Sequence, residues 1–524
     1  MSKFFRHRRC CALQILLLCL LATAPAMAEP LRRGLGPEPD SLDIHQAQGL
    51  AALQVLRDTH EGLLSLDAAG ELMPGVAQSW RQSDDGLRLE FTLREDAQWS
   101  NGDPLTADDF LRGWQRALAP ESQARTASLL LPVRGAQAVI DGRAAAASLA
   151  ISAPDAHTVV IELERPTPWF LELLTHPVTY PLHAQLGASV RERPVNGAFL
   201  LEEHVPRAYL RLRRNPRFHS VDEIALEQVE YVPIEDPGTE LSQFRAGALH
   251  ITETIPPGRH DWLAENYPDA LRVAPYMGSF WLGLNLSRPP LADKPGLRRA
   301  LSLAIDRDIL TRVVMGAGEQ PAWSLVPDGL AGYQAPQEPA LRWSDQQRLQ
   351  RARRLYERAG YSEQKPLRIQ LRFNTSATHR RMAVAVAAMW KQSLGVRTEL
   401  LHEEWKVFVN NRAQGTVTQV FRGGWIADYA DPVSFLDLFR SDDPLNSSFY
   451  RNDDYDRLLQ NAATASAGQR LALLRQAEQL LLRDTPVIPL YTYVSRHLVD
   501  PRVRGFINNP RDAHLSRHLT LGAP

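Results

Sequence analysis

The sequence has very little cysteine. Its three cysteines, Cys10, Cys11 and Cys19, all lie in the first 19 of 524 residues. If that leader is removed, the remaining chain has no residue for a disulfide, a thiol catalyst or a cysteine metal site. Its stability must then come mainly from buried apolar side chains, and a chain of this length can form two or more domains with large cores.

Long hydrophobic runs are also missing after the N-terminus. Four basic residues precede an apolar run at 13–21, which is followed by Ala26-Met27-Ala28. This pattern is typical of a secretory signal peptide with an A-x-A cleavage site. The run is shorter than the roughly 20 residues that span a bilayer. We therefore predict a signal peptide at residues 1–28 and a free periplasmic protein beyond it.

Neither charge sign dominates, and the motifs of common enzymes are missing. Lys and Arg number 59 against 60 Asp and Glu, so neither nucleic-acid nor membrane-surface binding is indicated. We find no G-x-S-x-G, H-E-x-x-H or phosphate-loop motif; the segment starting His402-Glu403 lacks the second histidine of a zinc helix. We expect a non-enzyme without cofactor or metal, although two histidines brought together by folding could still ligate a metal.

Hydrophobic spacing predicts both strands and helices. Residues 87–93 and 157–163 alternate as strands, and Thr106 with Asp109 predicts a helix start. Residues 367–373 and 396–401 are predicted strands around a helix at 380–394. Ser344 predicts the start of another helix, and residues 297–313 keep helical spacing. Alternating helices and strands favour an α/β class with open layers.

Two extended apolar segments, residues 279–285 and 487–494, are candidates for strands that cross between two lobes. A hinge needs two such crossings. The pattern alone also fits any pair of buried strands.

Six segments, taken together and in this order, are specific to one family. They are GPEPDSLDIH at 36–45, DTHEGLL at 58–64, PGVA at 74–77, WSNGDPLTADDF at 99–110, AIDR at 304–307 and WIADYADP at 425–432. On these segments the chain resembles the periplasmic oligopeptide-binding proteins of ABC importers, in solute-binding protein family 5. The resemblance covers almost the whole chain after the leader.

The resemblance implies an α/β, bilobal periplasmic-binding-protein fold of type II, cluster C, with a two-segment hinge. Three structural domains are expected after the signal peptide. They are a discontinuous domain I at 29–60, 191–282 and 496–524, domain II at 61–190, and domain III at 283–495.

The same resemblance implies which residues contact a ligand. Asp428 matches the carboxylate that binds a peptide's α-ammonium, although a loop aspartate capping the next helix has the same pattern. Arg422, Arg412 and His379 match basic groups that bind the peptide carboxylate at different peptide lengths; an ordinary ion pair or a solvated surface position is the alternative for each.

The remaining candidate contacts are aromatic or main-chain. Trp405, Trp425 and Tyr493 match pocket-lining rings, while core packing is the alternative for each. Gly424 and Ile426 belong to the same motif. Gln48 stands where well-known members carry a glutamate, so one anionic contact is neutral here.

The expected function is a periplasmic receptor that captures short oligopeptides between two lobes. It would deliver them, as a monomer, to an inner-membrane ABC permease and its ATPase subunits. Alternatives are the same fold with a specialised ligand, such as a cell-wall peptide, a metal, haem or another solute, and a periplasmic peptidase or folding helper.

Overall fold

A computed structural model describes residues 29–47, 49–124, 126–185, 189–415, 418–427 and 429–523. The predicted signal peptide at 1–28 and two predicted ligand contacts, Gln48 and Asp428, lie outside these residues.

Strands and helices are mixed throughout the described part of the chain. The strands are β1 Leu31–Gly34, β2 Leu64–Leu66, β3 Leu72–Pro74, β4 Ala77–Gln82, β5 Arg88–Leu93, β6 Ile151–Asp155, β7 Thr158–Glu162, β8 Phe199–Val205, β9 Tyr209–Arg214, β10 Gln228–Val232, β11 Leu271–Leu284, β12 Gln320–Pro321, β13 Arg368–Asn374, β14 Arg397–Glu403, β15 Val420–Ile426, β16 Val487–Leu498, β17 Val503–Arg504 and β18 Thr520–Leu521. The helices are α1 Gly49–Thr59, α2 Ala107–Leu118, α3 Ala136–Ile140, α4 Phe170–Leu173, α5 Pro237–Arg245, α6 His260–Asn266, α7 Pro295–Leu303, α8 Arg307–Ile309, α9 Asp345–Arg358, α10 Ala377–Leu394, α11 Trp405–Ala413, α12 Val433–Leu436, α13 Asp453–Thr464 and α14 Ala467–Asp484.

Three larger sheets organise these elements. One has the order β1-β10-β9-β8, and a second has the order β4-β5-β7-β6. The third has six strands in the order β12-β16-β11-β15-β13-β14. The division into three domains at the boundaries given above remains an expectation.

Most elements predicted from spacing are present. The β13-α10-β14 unit forms with β13 and β14 parallel, as a β-α-β connection requires. Helix α2 begins after Thr106, whose backbone N–H donates to Asp109 at 2.9 Å. Helix α9 begins after Ser344, whose hydroxyl accepts from the Gln347 N–H at 3.3 Å. These helix starts could be predicted because a capping interaction joins residues that are close together in sequence.

The helix predicted over residues 297–313 is interrupted. Helix α7 ends at Leu303, and α8 begins at Arg307 and continues into a π-helical turn, Leu310–Met315. The Asp306 carboxylate accepts from the Ile309 N–H at 2.9 Å and so caps a new helix. Apolar spacing persisted across the break, so it did not reveal the break.

The two segments predicted to cross between lobes are parts of the long antiparallel strands β11 and β16. The register of this strand pair shifts between Pro275 and Ser279 and again between Phe280 and Trp281, so the pairing is interrupted twice. Such bulges bend a strand and increase its twist. Bending of the pair is therefore expected at residues 275–281 of β11. Across the described residues, no helix is both long and apolar enough to cross a membrane.

Candidate functional site: a basic cluster beside a free strand edge

The sequence-predicted residues on β15 are positioned by the pairing of β15 with β11. Arg422 lies opposite Leu282, and Gly424 opposite Phe280. Side chains alternate along a strand, so Arg422, Gly424 and Ile426 share one face and Trp425 projects from the other. Strand pairing therefore separates the predicted contacts of this motif into two groups.

Three sequence-predicted basic residues lie near one another around β15, with His379 and Arg422 on one face and Arg412 reaching a cavity on the other. We call His379, Arg412 and Arg422 the basic cluster. The Arg422 guanidinium lies 5.4 Å from the Phe280 ring centre and 5.9 Å from that of Trp405. The His379 ring lies 5.5 Å from the same Phe280 ring. Helices α10 and α11 and strand β15 thus each contribute one basic side chain.

The basic cluster carries excess positive charge. Within the described residues no carboxylate pairs with Arg412 or Arg422, and both Nε atoms are buried without a hydrogen-bond partner. The Nδ1 atom of His379 is also buried without a hydrogen-bond partner. Because an unpaired buried cation is costly, such a cluster favours an anionic ligand.

Electrostatics fixes the charge states of the cluster. Burial, together with the nearby charge of Arg422, lowers the pKa of His379 to about 4. Its imidazole is therefore neutral at neutral pH. Burial and Arg422 also lower the pKa of Arg412, yet an arginine remains charged in a folded protein. The cluster presents two cations and one neutral imidazole.

Tyr493 extends the cluster across the sheet. It lies on β16 opposite the first register shift of β11, and the nearby Arg422 partly offsets the burial that raises the pKa of its hydroxyl. Its ring covers the backbone of Gly278, where an added Cβ would lie 2.4 Å from the ring. A Cβ on Gly424 would lie 2.9 Å from the hydroxyl. Glycine at these positions lets the ring lie against the strands.

Strand β15 also has an unpaired main-chain edge. Its outer neighbour β13 pairs with it only at Val420 and Phe421. From Arg422 to Ile426, no other described strand lies on that side. A free edge offers backbone N–H and C=O groups to an extended peptide, and here it begins at the basic cluster.

The other predicted aromatic and apolar contacts lie in different environments. Trp405 and Ile426 are about half exposed, at 50% and 42%. Trp425 donates its indole N–H to Ser434 at 3.2 Å. It lines a small cavity together with Trp281 and Arg412, on the face away from Tyr493.

The segment after β15 is anchored on both sides of Asp428. Ala427 donates its N–H to the Met277 carbonyl at 2.8 Å. Asp431 caps α12 by accepting from the Val433 N–H at 2.9 Å and forms a buried ion pair with Arg470 at 2.7 Å. The Asp431 carboxylate therefore stabilises the turn that leads into α12.

Sequence reasoning missed two contributors to this region. Phe280 was seen only as part of an extended segment, yet its ring lies under both Arg422 and His379. Trp169 stacks on Tyr429 with ring centres 5.7 Å apart, and the Arg470 guanidinium lies 5.6 Å from the Trp169 ring. No sequence signal pointed to either, because both contacts join distant parts of the chain.

Comparison with known proteins identifies the family. Residues 71–447 match the family described as bacterial extracellular solute-binding proteins, family 5 Middle. The chain belongs to this family. The predicted family and fold class are confirmed by this match and by the structural similarity given below, and named members of this family are binding proteins.

Three relatives illustrate the similarity. The periplasmic murein peptide-binding protein MppA of Escherichia coli (strain K12) is 36% identical, covering 98% of each chain. The unliganded open form of MppA superposes with a TM-score of 0.85 at 36% identity, covering 95% of this chain and 98% of that one.

The other two relatives come from the same organism. Its periplasmic oligopeptide-binding protein OppA is 34% identical, covering 95% of this chain and 93% of OppA. Its probable deoxycholate-binding periplasmic protein YgiS is 33% identical, covering 97% of this chain and 98% of YgiS.

Proposed function

We propose that this protein is a periplasmic receptor that captures short peptides between two lobes and delivers them to an inner-membrane ABC permease and its ATPase subunits. It acts as a monomer, by binding and without catalysis, after removal of the signal peptide at residues 1–28. The observation that carries the proposal is the unpaired basic cluster at the start of a free strand edge.

The free edge suits the part of a ligand that all peptides share. An extended peptide added beside residues 422–426 exchanges main-chain hydrogen bonds with β15, whatever its side chains. Main-chain pairing of this kind lets the protein accept peptides with different side chains. Trp405, Ile426 and Trp425 then border the spaces that receive ligand side chains.

The charged ends of the peptide need charged partners. Arg422 and Arg412 bind the terminal carboxylate, because a guanidinium can donate two parallel hydrogen bonds to it. His379 is neutral and donates at most one hydrogen bond. Asp428 binds the α-ammonium, so each charged end of the ligand has its own partner. Gln48, which stands where well-known members carry a glutamate, is a neutral contact.

Calorimetry with free-acid and C-amidated forms of the same short peptides tests this assignment. For the chain from residue 29 onward, Arg422→Gln should weaken free-acid binding about 30-fold or more, because it leaves a buried carboxylate short of its partner. Amidation should weaken binding to the unaltered protein and add little to the loss in Arg422→Gln. N-acetylation of the peptide tests Asp428 in the same way.

The matched control is Arg457→Gln. Arg457 lies on the exposed side of α13 and pairs with Asp454, so its loss should leave peptide affinity unchanged. Unchanged free-acid affinity in Arg422→Gln would contradict the proposed carboxylate site.

A second candidate ligand is a carboxylate on a large apolar body, as in a bile acid. The similarity to YgiS and the aromatic rings around Arg422 favour it. Such a ligand has no ammonium, so it does not need Asp428. Tight binding of deoxycholate, with no heat from any peptide, would select this candidate.

A further inference from the structure

Two histidines and an aspartate converge away from the basic cluster. His497 lies near the end of β16, four residues beyond Tyr493, which is about 13 Å along an extended strand. Asp512 and His514 lie in the C-terminal segment after β17. One ligand atom from each of the three residues falls within 4.8 Å of the other two.

Both histidines point the same ring atom at one carboxylate oxygen. His497 Nε2 lies 2.7 Å from Asp512 Oδ1, and His514 Nε2 lies 3.1 Å from it. The two histidine side chains are 6% and 5% exposed, and Asp512 is 18% exposed. The aspartate thus leaves an approach from solvent to an otherwise buried group of donors.

The surroundings hold both rings in place. The Thr252 carbonyl accepts a hydrogen bond from His497 Nδ1 at 2.8 Å, so the proton of a neutral His497 is on Nδ1 and the lone pair is on Nε2. A backbone carbonyl on the second ring nitrogen is the usual support of a metal-binding histidine. Phe506 stacks on His514 at 3.8 Å and meets His497 edge-on at 5.4 Å.

We propose that His497, Asp512 and His514 form a Zn²⁺ site that joins the C-terminal segment to β16. Two imidazoles and a carboxylate suit zinc, with water as the fourth ligand. Zinc–ligand distances of about 2.0–2.2 Å place tetrahedral ligand atoms about 3.3 Å apart. The two nitrogen–oxygen distances, 2.7 and 3.1 Å, therefore need to lengthen by only about 0.6 and about 0.2 Å, which side-chain rotation supplies.

The alternative is an ion pair without metal. Burial opposes a charge on His497, but the adjacent Asp512 raises the pKa of His497 to about 9. In that state His497 Nε2 carries a proton and donates to Asp512. Zinc and this proton compete for the same nitrogen, so the two states are experimentally distinct.

The test is calorimetric titration of ZnCl₂ into chelator-stripped protein, residue 29 onward, at neutral pH. We expect one Zn²⁺ per chain, an increase in unfolding temperature with added zinc, and loss of the His497 Nε2–H signal in NMR spectra. His514→Ala should weaken zinc binding at least about 10-fold, since loss even of an outer-shell partner costs 10–100-fold.

His204→Ala is the matched control, because His204 makes a separate pair with Glu38 and should not affect zinc. If His514→Ala fails to fold by circular dichroism, Asp512→Asn replaces it. No stoichiometric zinc binding, unchanged affinity in both variants, or a persistent Nε2–H signal in excess zinc would overturn the proposal. Peptide affinity is measured separately, so either proposal can fail alone.

Discussion

At the scale of single residues, Glu478 is a buried carboxylate that accepts three hydrogen bonds. It is completely buried on α14 and accepts from the backbone N–H groups of Leu325 and Val326 at 2.6 and 2.9 Å. The Tyr333 hydroxyl donates to it at 2.6 Å. Burial outweighs these hydrogen bonds and raises the pKa of Glu478 from 4.5 to about 7. Below about pH 7 the folded state therefore holds Glu478 mainly in its protonated form.

This shift predicts a pH dependence of stability. Because the pKa is raised, Glu478 makes its full contribution to the free energy of unfolding below about pH 4.5, and this contribution is lost as the pH rises to about 7. Glu478→Gln stays neutral and avoids that loss. As the pH rises from 5 to 8, the free energy of unfolding of Glu478→Gln, measured with urea, should increase by on the order of 2 kcal/mol relative to that of the unaltered protein.

Glu265→Gln is the control, because Glu265 is an exposed residue of α6 and should give no such gain. A difference between the Glu478→Gln and unaltered proteins that is constant across this pH range would contradict the assigned pKa.

The basic residues of the candidate site were predictable at the residue scale, because a family motif and neighbouring segments identify Arg422, Arg412 and His379. Their grouping is a finding of the structure. Phe280 was not predictable, because nothing in an extended apolar segment says which of its rings will lie under a guanidinium.

At the scale of elements, the contact of β11 with β16 depends on Gly278. The ring of Tyr493 occupies the space where a side chain at this position would project. Gly278→Ala should therefore displace the ring and lower the free energy of unfolding by about 1–3 kcal/mol, as overpacking usually does. Urea denaturation measures this change.

Gly296→Ala provides the comparison. An added Cβ on Gly296, in α7, would meet only the end of Leu355 at 3.7 Å, an ordinary contact. We expect stability to be unchanged or raised by up to about 1 kcal/mol, since alanine favours a helix. Equal effects of the two substitutions would mean that the Tyr493 contact is unimportant.

Elements with local signals were predicted well. Strand alternation located β5 and β7, and caps located the starts of α2 and α9, because both signals lie within a few residues. The break between α7 and α8 was missed, because the apolar face continues through it.

At the scale of the whole molecule, the bulged β11–β16 pair is the expected bending point for closure. The structure superposes well on the unliganded open form of MppA, with a TM-score of 0.85. A ligand that contacts both lobes stabilises the closed arrangement, because it binds that state more tightly.

Small-angle scattering should therefore show a smaller radius of gyration when a saturating short peptide is added. At a peptide concentration just sufficient to saturate the unaltered protein, Arg422→Gln should stay close to the radius of the free protein, because less peptide is bound. An unchanged radius for the unaltered protein with peptide fully bound by calorimetry would contradict lobe closure.

The sequence by itself determined the family, the α/β class and the identities of the basic residues, because these depend on motifs and on periodicities within one element. Tertiary structure alone decided that Phe280 and Tyr493 surround Arg422, that β13 leaves one edge of residues 422–426 without a partner strand, and that His497 meets Asp512 and His514. These arrangements depend on strand register and on loops that bring together segments far apart in the chain. Local sequence patterns carry no information about which distant side chains will meet.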